Sequence, residues 1–173
     1  MNAGPMKADA RQLMIDGLKN AHGLETQAVE MLERNTERLE HYPDLKARIA
    51  RHLEESRSQR DRLGQALTDL GEKPSTVKDT VMGLAQNLQA MAHSVAGDEV
   101  LKNAYTGYAF EHFEIATYKA LAEMAKAAGE PRVESLAKDI LKEEEEMAHW
   151  LESHLPGVVH RYIELMPKGQ AKH

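Results

Sequence analysis

The sequence predicts an all-α fold: an antiparallel bundle of four long helices, with a short extra helix in the connection between the second and third. Three observations predict it. Apolar residues recur at spacings of three, four and seven along four long segments, the pattern of helices that each bury one stripe. Gly71, Gly97 and Gly129, with Pro43, Pro74, Pro131 and Pro156, fall at the ends of those segments, where chain-breaking residues belong. Ala, Leu and Glu are abundant and aromatics make up only 5%. No segment alternates apolar and polar residues as a half-buried strand does.

The first helix is predicted from about Ala8 to Glu40, with Leu18, Glu25, Val29, Leu32 and Leu39 on one stripe. His41-Tyr42-Pro43-Asp44 ends it, because Pro43 disfavours helical geometry at Tyr42 and can itself open the next helix. The second runs from about Asp44 to Leu70. Its seam is Leu45, Ile49, His52, Ser56, Gln59, Leu63, Ala66 and Leu70, alternating fours and threes as bundle seams do. Gly71 stops it. A short helix from a Ser75 cap to about Val95 uses Val77, Val81, Leu84, Leu88 and Met91. The third long helix runs from near Asp98 to Ala128, ended by Gly129. The fourth covers Pro131 to Leu155, with Pro131 in its first turn. Pro156-Gly157 is expected to stop it, leaving a last short helix over Val158 to Met166. Short turns join the first pair and the last pair, while a long crossover joins the pairs. That is the ferritin-like connection, and residues 1–173 read as one such domain with its core at about 8–155.

Hydrophobic residues make up 42% of the chain and charged residues 29%, enough apolar surface for a core and too much for disorder. The net charge of -6, with no Lys/Arg-rich tract, opposes binding to nucleic-acid phosphates. The absence of cysteine excludes disulfides, thiolate metal sites and cysteine nucleophiles, and suits the cytoplasm. No stretch has the length of a membrane span, and no signal-peptide core follows Met1. A cytoplasmic protein with neither nucleic acid nor membrane as partner is therefore expected.

The informative residues are the polar ones lying on apolar stripes, because a buried carboxylate without a partner is costly. Metal cations are one such partner. A di-iron bundle collects a Glu from each of two helices, and a Glu with a nearby second ligand from each of the others. Glu25 lies squarely on the first stripe. On the second helix His52, Glu55 and Gln59 form a ladder; Glu55 falls about 70° off the seam centre, and Glu54 points to solvent. On the third, Glu111, Ile115 and Tyr118 share the apolar face, with Glu114 on its edge; either Glu can reach inward. On the fourth, Glu143 and Glu144 flank the stripe of Leu136, Ile140, Met147, Leu151 and His154 by about 50° on either side. Glu144 is the first candidate there and Glu143 the second. Glu146-Met147-Ala148-His149 spells the Glu-x-x-His bundle motif, but His149 points away from the stripe. Each long helix thus carries a core-edge Glu near its middle, and antiparallel packing brings the middles together. Two divalent cations balance four carboxylates, and oxygen-rich ligation suits Fe or Mn better than Zn or Cu.

Several stretches carry a family resemblance: Glu25-Thr26-Gln27; His52-Leu53-Glu54-Glu55-Ser56 with Gln59 and Arg62-Leu63; Glu111-His112-Phe113-Glu114-Ile115-Ala116-Thr117-Tyr118 with Leu121-Ala122; and Leu141-Lys142-Glu143-Glu144. From Leu24 to about Leu155 the chain resembles the ferritin-like YciE/YciF family, a stress-associated bacterial group. The resemblance implies a helical bundle with a dinuclear metal centre, often dimeric, without an established reaction. It implies Glu25, Glu55, Glu114 and Glu144 at the family's acidic positions, with His52 and Gln59 among the polar residues close to the metal. One position departs: Ala148 stands where the family commonly has an acidic residue.

Three functions compete. One is a carboxylate-bridged site with two Fe (or Mn), oxidising Fe(II) or reducing O2 or peroxide. Another is a non-catalytic, stress-protective bundle, its Glu residues bridged by Arg34, Arg38, Arg48, Arg57 or Arg60. Iron storage in a large shell ranks below a homodimer, for which Val81, Leu84 and Leu88 supply an apolar face.

Overall fold

In a computed structural model of the chain, residues 5–36, 39–74 and 99–171 are described. Four long helices account for most of them: α1 (Pro5–Thr36), α2 (Pro43–Asp69), α3 (Glu99–Ala128) and α4 (Pro131–Leu165), followed by a 3-10 turn over Met166–Lys168. No strand is found among the described residues. The short crossover helix predicted over Ser75 to Val95, with its apolar face of Val81, Leu84 and Leu88, lies outside them, as does Arg38.

The ends of the helices follow from local chemistry. Pro43 and Pro131 occupy the first turns of α2 and α4, where a missing N–H costs nothing. At the end of α2, Gly71 takes φ +78°, the Gly71 N–H donates to the Thr68 carbonyl at 3.0 Å, and the Glu72 N–H donates to the Leu67 carbonyl at 2.9 Å. Gly129 repeats this after α3 with φ +75° and the Glu130 N–H on the Ala125 carbonyl at 2.9 Å. Both are left-handed terminators that satisfy the last carbonyls of the helix. The first helix stops short of Glu40, which lies in a turn where the Tyr42 N–H donates to the Leu39 carbonyl at 3.3 Å.

One expected break is absent. Instead of ending at Leu155, α4 runs through Pro156-Gly157 as a single helix to Leu165. Proline removes one hydrogen bond to the carbonyl four residues earlier. Here Pro156 and Glu152 both lie on the exposed side, where water can satisfy that carbonyl. Beyond the proline, Val158, Tyr162 and Leu165 bury themselves against Leu39, Tyr42 and Leu45. Burying such side chains contributes about 1.5–3 kcal/mol each, so packing outweighs the lost bond. The Tyr42 hydroxyl ties the same end together by donating to the Ala171 carbonyl at 2.8 Å. Contrary to the stripe expected on this helix, His154 is exposed and stacks on Trp150, with ring centroids 4.0 Å apart.

The interior is layered. At one end Met14, Leu18, Leu63, Leu67, Leu121 and Ile140 form an apolar cluster. At the other, Leu39, Leu45, Val100, Met147 and Leu151 form a second. The first cluster joins the start of α1 to the end of α2, the end of α3 and the start of α4; the second joins the opposite ends. Helices α1/α2 and α3/α4 are therefore antiparallel hairpins, and α2 ends at the opposite end of the bundle from where α3 begins. Between the two apolar layers lies a polar one.

Candidate metal centre

Every long helix contributes to the polar layer near its midpoint: Glu25 from α1, His52, Ser56 and Gln59 from α2, Glu111 and Glu114 from α3, and Glu144 from α4. All seven are buried, none more than 2% exposed. Successive residues of a helix turn by about 100°, so residues at spacings of three and four project from one face. That places His52, Ser56 and Gln59 together on α2, and Glu111 and Glu114 together on α3.

Four of them converge. His52, Glu111, Glu114 and Glu144 each offer a ligand atom, and these atoms lie within 4.8 Å of one another. His52 Nε2 stands 3.2 Å from Glu111 Oε2 and 3.6 Å from Glu144 Oε2. Its other ring nitrogen, Nδ1, is 3.2 Å from Glu55 Oε2. Glu25 lies beside this group, its Oε1 accepting a hydrogen bond from the Tyr118 hydroxyl. Gln59 Nε2 donates to Glu144 Oε1 at 2.5 Å and to Glu143 Oε2 at 2.8 Å.

Two predicted residues stand apart from the cluster. Glu55 is partly exposed and held by cations: Arg48 at 3.0 Å, Arg51 at 2.8 Å and the His52 ring. Glu143 is about a third exposed and paired with Arg62 at 2.5 Å. On α4 the inward carboxylate is thus Glu144. Glu54 and His149 are exposed, as their helical phase predicts. Of the arginine bridges weighed for a metal-free bundle, Arg48 does reach a candidate residue, Glu55 at 3.0 Å, while Arg57 goes to Glu33 at 2.6 Å and Arg60 to Asp61 at 3.0 Å. What the helical pattern missed is the partners of Glu55 and Glu143. Arg51 was legible as the i,i+4 neighbour of Glu55; the Arg62–Glu143 pair crosses between α2 and α4 and leaves no local signal.

The electrostatics are those of an uncompensated acidic interior. Burial pushes the Glu25 carboxyl up to about 8, against the Tyr118 hydrogen bond and His52, which pull it down. Burial, then repulsion from Glu25, Glu144 and Glu111, raises Glu114 well above the usual carboxylate range. Burial and Glu111 do the same to Glu144. Burial alone would disfavour the charged His52 ring, but Glu111 and Glu55 together raise it well above its ordinary value. Glu55 moves the other way: burial opposes its charge, but His52, Arg48 and Arg51 hold it down at about 2.

The donor set fits a hard divalent cation. Glu25 Oε2, Glu114 Oε1 and Gln59 Oε1 are buried without a hydrogen-bond donor, and Glu111 Oε2 and Glu144 Oε2 face only the His52 ring. Buried polar atoms normally have partners, and here ligand atoms of three carboxylates and one imidazole lie within 4.8 Å of one another. Oxygen-rich sites of this kind suit Fe or Mn.

A four-helix bundle with a carboxylate-rich layer at its waist defines the chain as a ferritin-like protein whose buried His/Glu cluster can hold a metal. More particularly, it belongs to the family described as Domain of unknown function (DUF892), whose model matches residues 9–164. It is 34% identical to a protein from Xanthomonas campestris, at a TM-score of 0.78 over 91% of this chain and 99% of that one. It also resembles the Escherichia coli stress protein YciF, with 24% identity, a TM-score of 0.75, and coverage of 87% of this chain and 97% of that one. The bacterioferritin of Desulfovibrio desulfuricans, a protein with a diiron site, shares the fold at 20% identity and a TM-score of 0.71, over 90% of this chain and 86% of that one. Among the described residues no helix is long and apolar enough to cross a membrane.

Proposed function

We propose that the polar layer binds two divalent cations, iron first and manganese as the alternative, and that the protein uses them in oxidative-stress chemistry in the cytoplasm. The observation that carries this reading is the orientation of His52. Nδ1 lies 3.2 Å from Glu55 while Nε2 faces Glu111 Oε2 and Glu144 Oε2. Without metal a charged ring can donate from both nitrogens; a cation that displaced the Nε2 proton would find Nε2 and the carboxylate oxygens already gathered as ligands.

In this reading His52, Glu111, Glu114 and Glu144 hold one ion. Glu25, buried beside them, would supply a carboxylate to the second. Four carboxylates and a neutral imidazole then balance two divalent charges. Glu55 is a positioning residue: it fixes the His52 tautomer, while Arg48 and Arg51 keep it ionised. Gln59 and Glu143, with Arg62, orient Glu144. Tyr118 holds Glu25. Bound iron would supply one-electron redox chemistry towards O2 or peroxide.

Metal analysis of protein from iron- and manganese-supplemented cells tests the reading, followed by anaerobic Fe(II) loading and exposure to air. Two metals per chain and Fe(II) oxidation faster than in buffer are expected. A chain that binds no metal even after anaerobic reconstitution overturns it. A non-catalytic bundle is the second reading, favoured by Ala148, which is buried at 4% exposure and gives no ligand where the family resemblance calls for an acid. In that case the carboxyls are carried protonated, and the metal-free protein is the working form.

A further inference from the structure

A gap in the packing lies against the metal centre. It has a volume of about 30 Å³ and sits between the polar layer and the apolar cluster below it, walled by Leu32, Leu45, Ile49, Ala104, Met147 and Leu151. Glu111 lines it too, with its Oε2 buried and 3.2 Å from the His52 ring. Asn35 of α1 and Asn103 of α3, both half-buried, line it as well.

Gly107 also lines the gap. A glycine inside a helix is destabilising by roughly 0.5–1 kcal/mol relative to Ala, so its presence at mid-helix asks for a cause. Close backbone packing is not that cause: a Cβ built at Gly107 would meet only the Leu151 Cδ1, at 4.0 Å. What the missing side chain leaves is room beside Glu111.

The chemistry of the walls selects the occupant. One water needs about 10–15 Å³ and two to four polar partners; the gap has room for two such spheres but few polar groups. Peroxide, with two donors and four lone pairs, would find only Glu111 and the two asparagines as partners there. A small apolar diatomic molecule loses no hydrogen bonds and gains dispersion contacts.

Resting on the metal-centre reading above, we propose that this gap is a binding and entry site for dioxygen, which reaches the centre past Glu111 along a path kept open by Gly107. Peroxide, by contrast, is not admitted by this route.

Xenon is the probe for the site, since it needs no metal. In xenon-pressurised crystals of the metal-free full chain, an atom is expected among Leu32, Ile49 and Met147; a gap without xenon overturns the proposal. Gly107→Leu should abolish xenon binding while leaving the thermal midpoint unchanged or raised, with Gly107→Ala as the milder variant that folds without strain. In the Fe(II)-loaded chain, Gly107→Leu should slow oxidation by air about tenfold and change oxidation by added peroxide less than about twofold. Equal slowing with both oxidants, or none with air, overturns the proposal. The two failures are distinguishable: a wild-type chain that takes xenon and no metal removes the proposed function and the dioxygen route with it, leaving only a gas-sized gap, and one that binds metal but no xenon removes this inference alone.

Discussion

Two layers of the bundle, a few helical turns apart, are equally buried and energetically opposite. Around Leu18, Leu63, Leu121 and Ile140 the interior is apolar and fully enclosed. Around Glu25, His52, Glu111, Glu114 and Glu144 it is just as enclosed and acidic. The first layer stabilises the fold unaided, because removing apolar surface from water is favourable. The second works against it, because a carboxylate leaving water needs a partner and, among the described residues, one histidine faces four carboxylates that no Lys or Arg pairs with. Burial alone therefore says nothing about the sign of a contribution; the partner decides it. The acidic layer is tolerated because the apolar layers on both sides hold the four helices together.

Metal addition should separate the layers most sharply. Saturating Fe(II) or Mn(II) at about a thousandfold over its dissociation constant is expected to stabilise the wild-type chain by about 4 kcal/mol. Glu144→Gln should abolish most of that gain. Calorimetry with metal and with chelator checks it, and an equal gain in the variant would break the contrast.

Next in size, Leu63→Ala in the apolar layer should cost about 3 kcal/mol. The loss should be the same with and without metal, since Leu63 belongs to the apolar cluster and not to the polar layer. Urea unfolding in both states gives the answer; a metal-dependent loss would show that the layers are coupled.

Glu55→Gln should weaken metal binding about 10–100-fold by freeing the His52 ring, as read by competition with a chromophoric chelator. Affinity unchanged by the substitution would remove Glu55 from the positioning role.

A further effect is that of pH on the metal-free protein. Glu25 is raised to about 8, and Glu114, Glu144 and His52 are also raised, so between about pH 5 and pH 8 the folded chain binds more protons than the unfolded one. Stability then falls as pH rises through that window. Glu55, held at about 2, adds the opposite slope only at lower pH. Thermal midpoints at the two ends of the window test this. Glu25→Gln should flatten the profile, and metal should reverse it, because cations displace those protons. A midpoint that rises with pH in the metal-free chain would contradict the acidic-interior account.

Much of this was legible in the residue order. The stripe through Leu18, Glu25, Val29 and Leu32 is buried throughout, and Gly71 and Gly129 end their helices by the geometry their position implies. Phase also separated His149 and Glu54 from the interior. It failed at Pro156, where a local breaking signal was overridden by Tyr162 and Leu165 packing against residues far away in the chain. It was also insufficient for Glu55, whose angle allows an inward reach but whose oxygens are drawn outward by Arg48 and Arg51.

The sequence by itself determined four amphipathic helices, each with acidic residues at its buried edge near the middle, because helical period and chain-breaking residues are local properties. Only the tertiary structure decided that Glu111 and Glu114 both turn inward, that Glu144 rather than Glu143 does so, and that His52 aims Nε2 at the carboxylates. A residue's angle on its own helix is set within a few turns. Which neighbour that angle meets depends on the rotation and register of three other helices, and on ion pairs such as Arg62–Glu143 that no local pattern encodes.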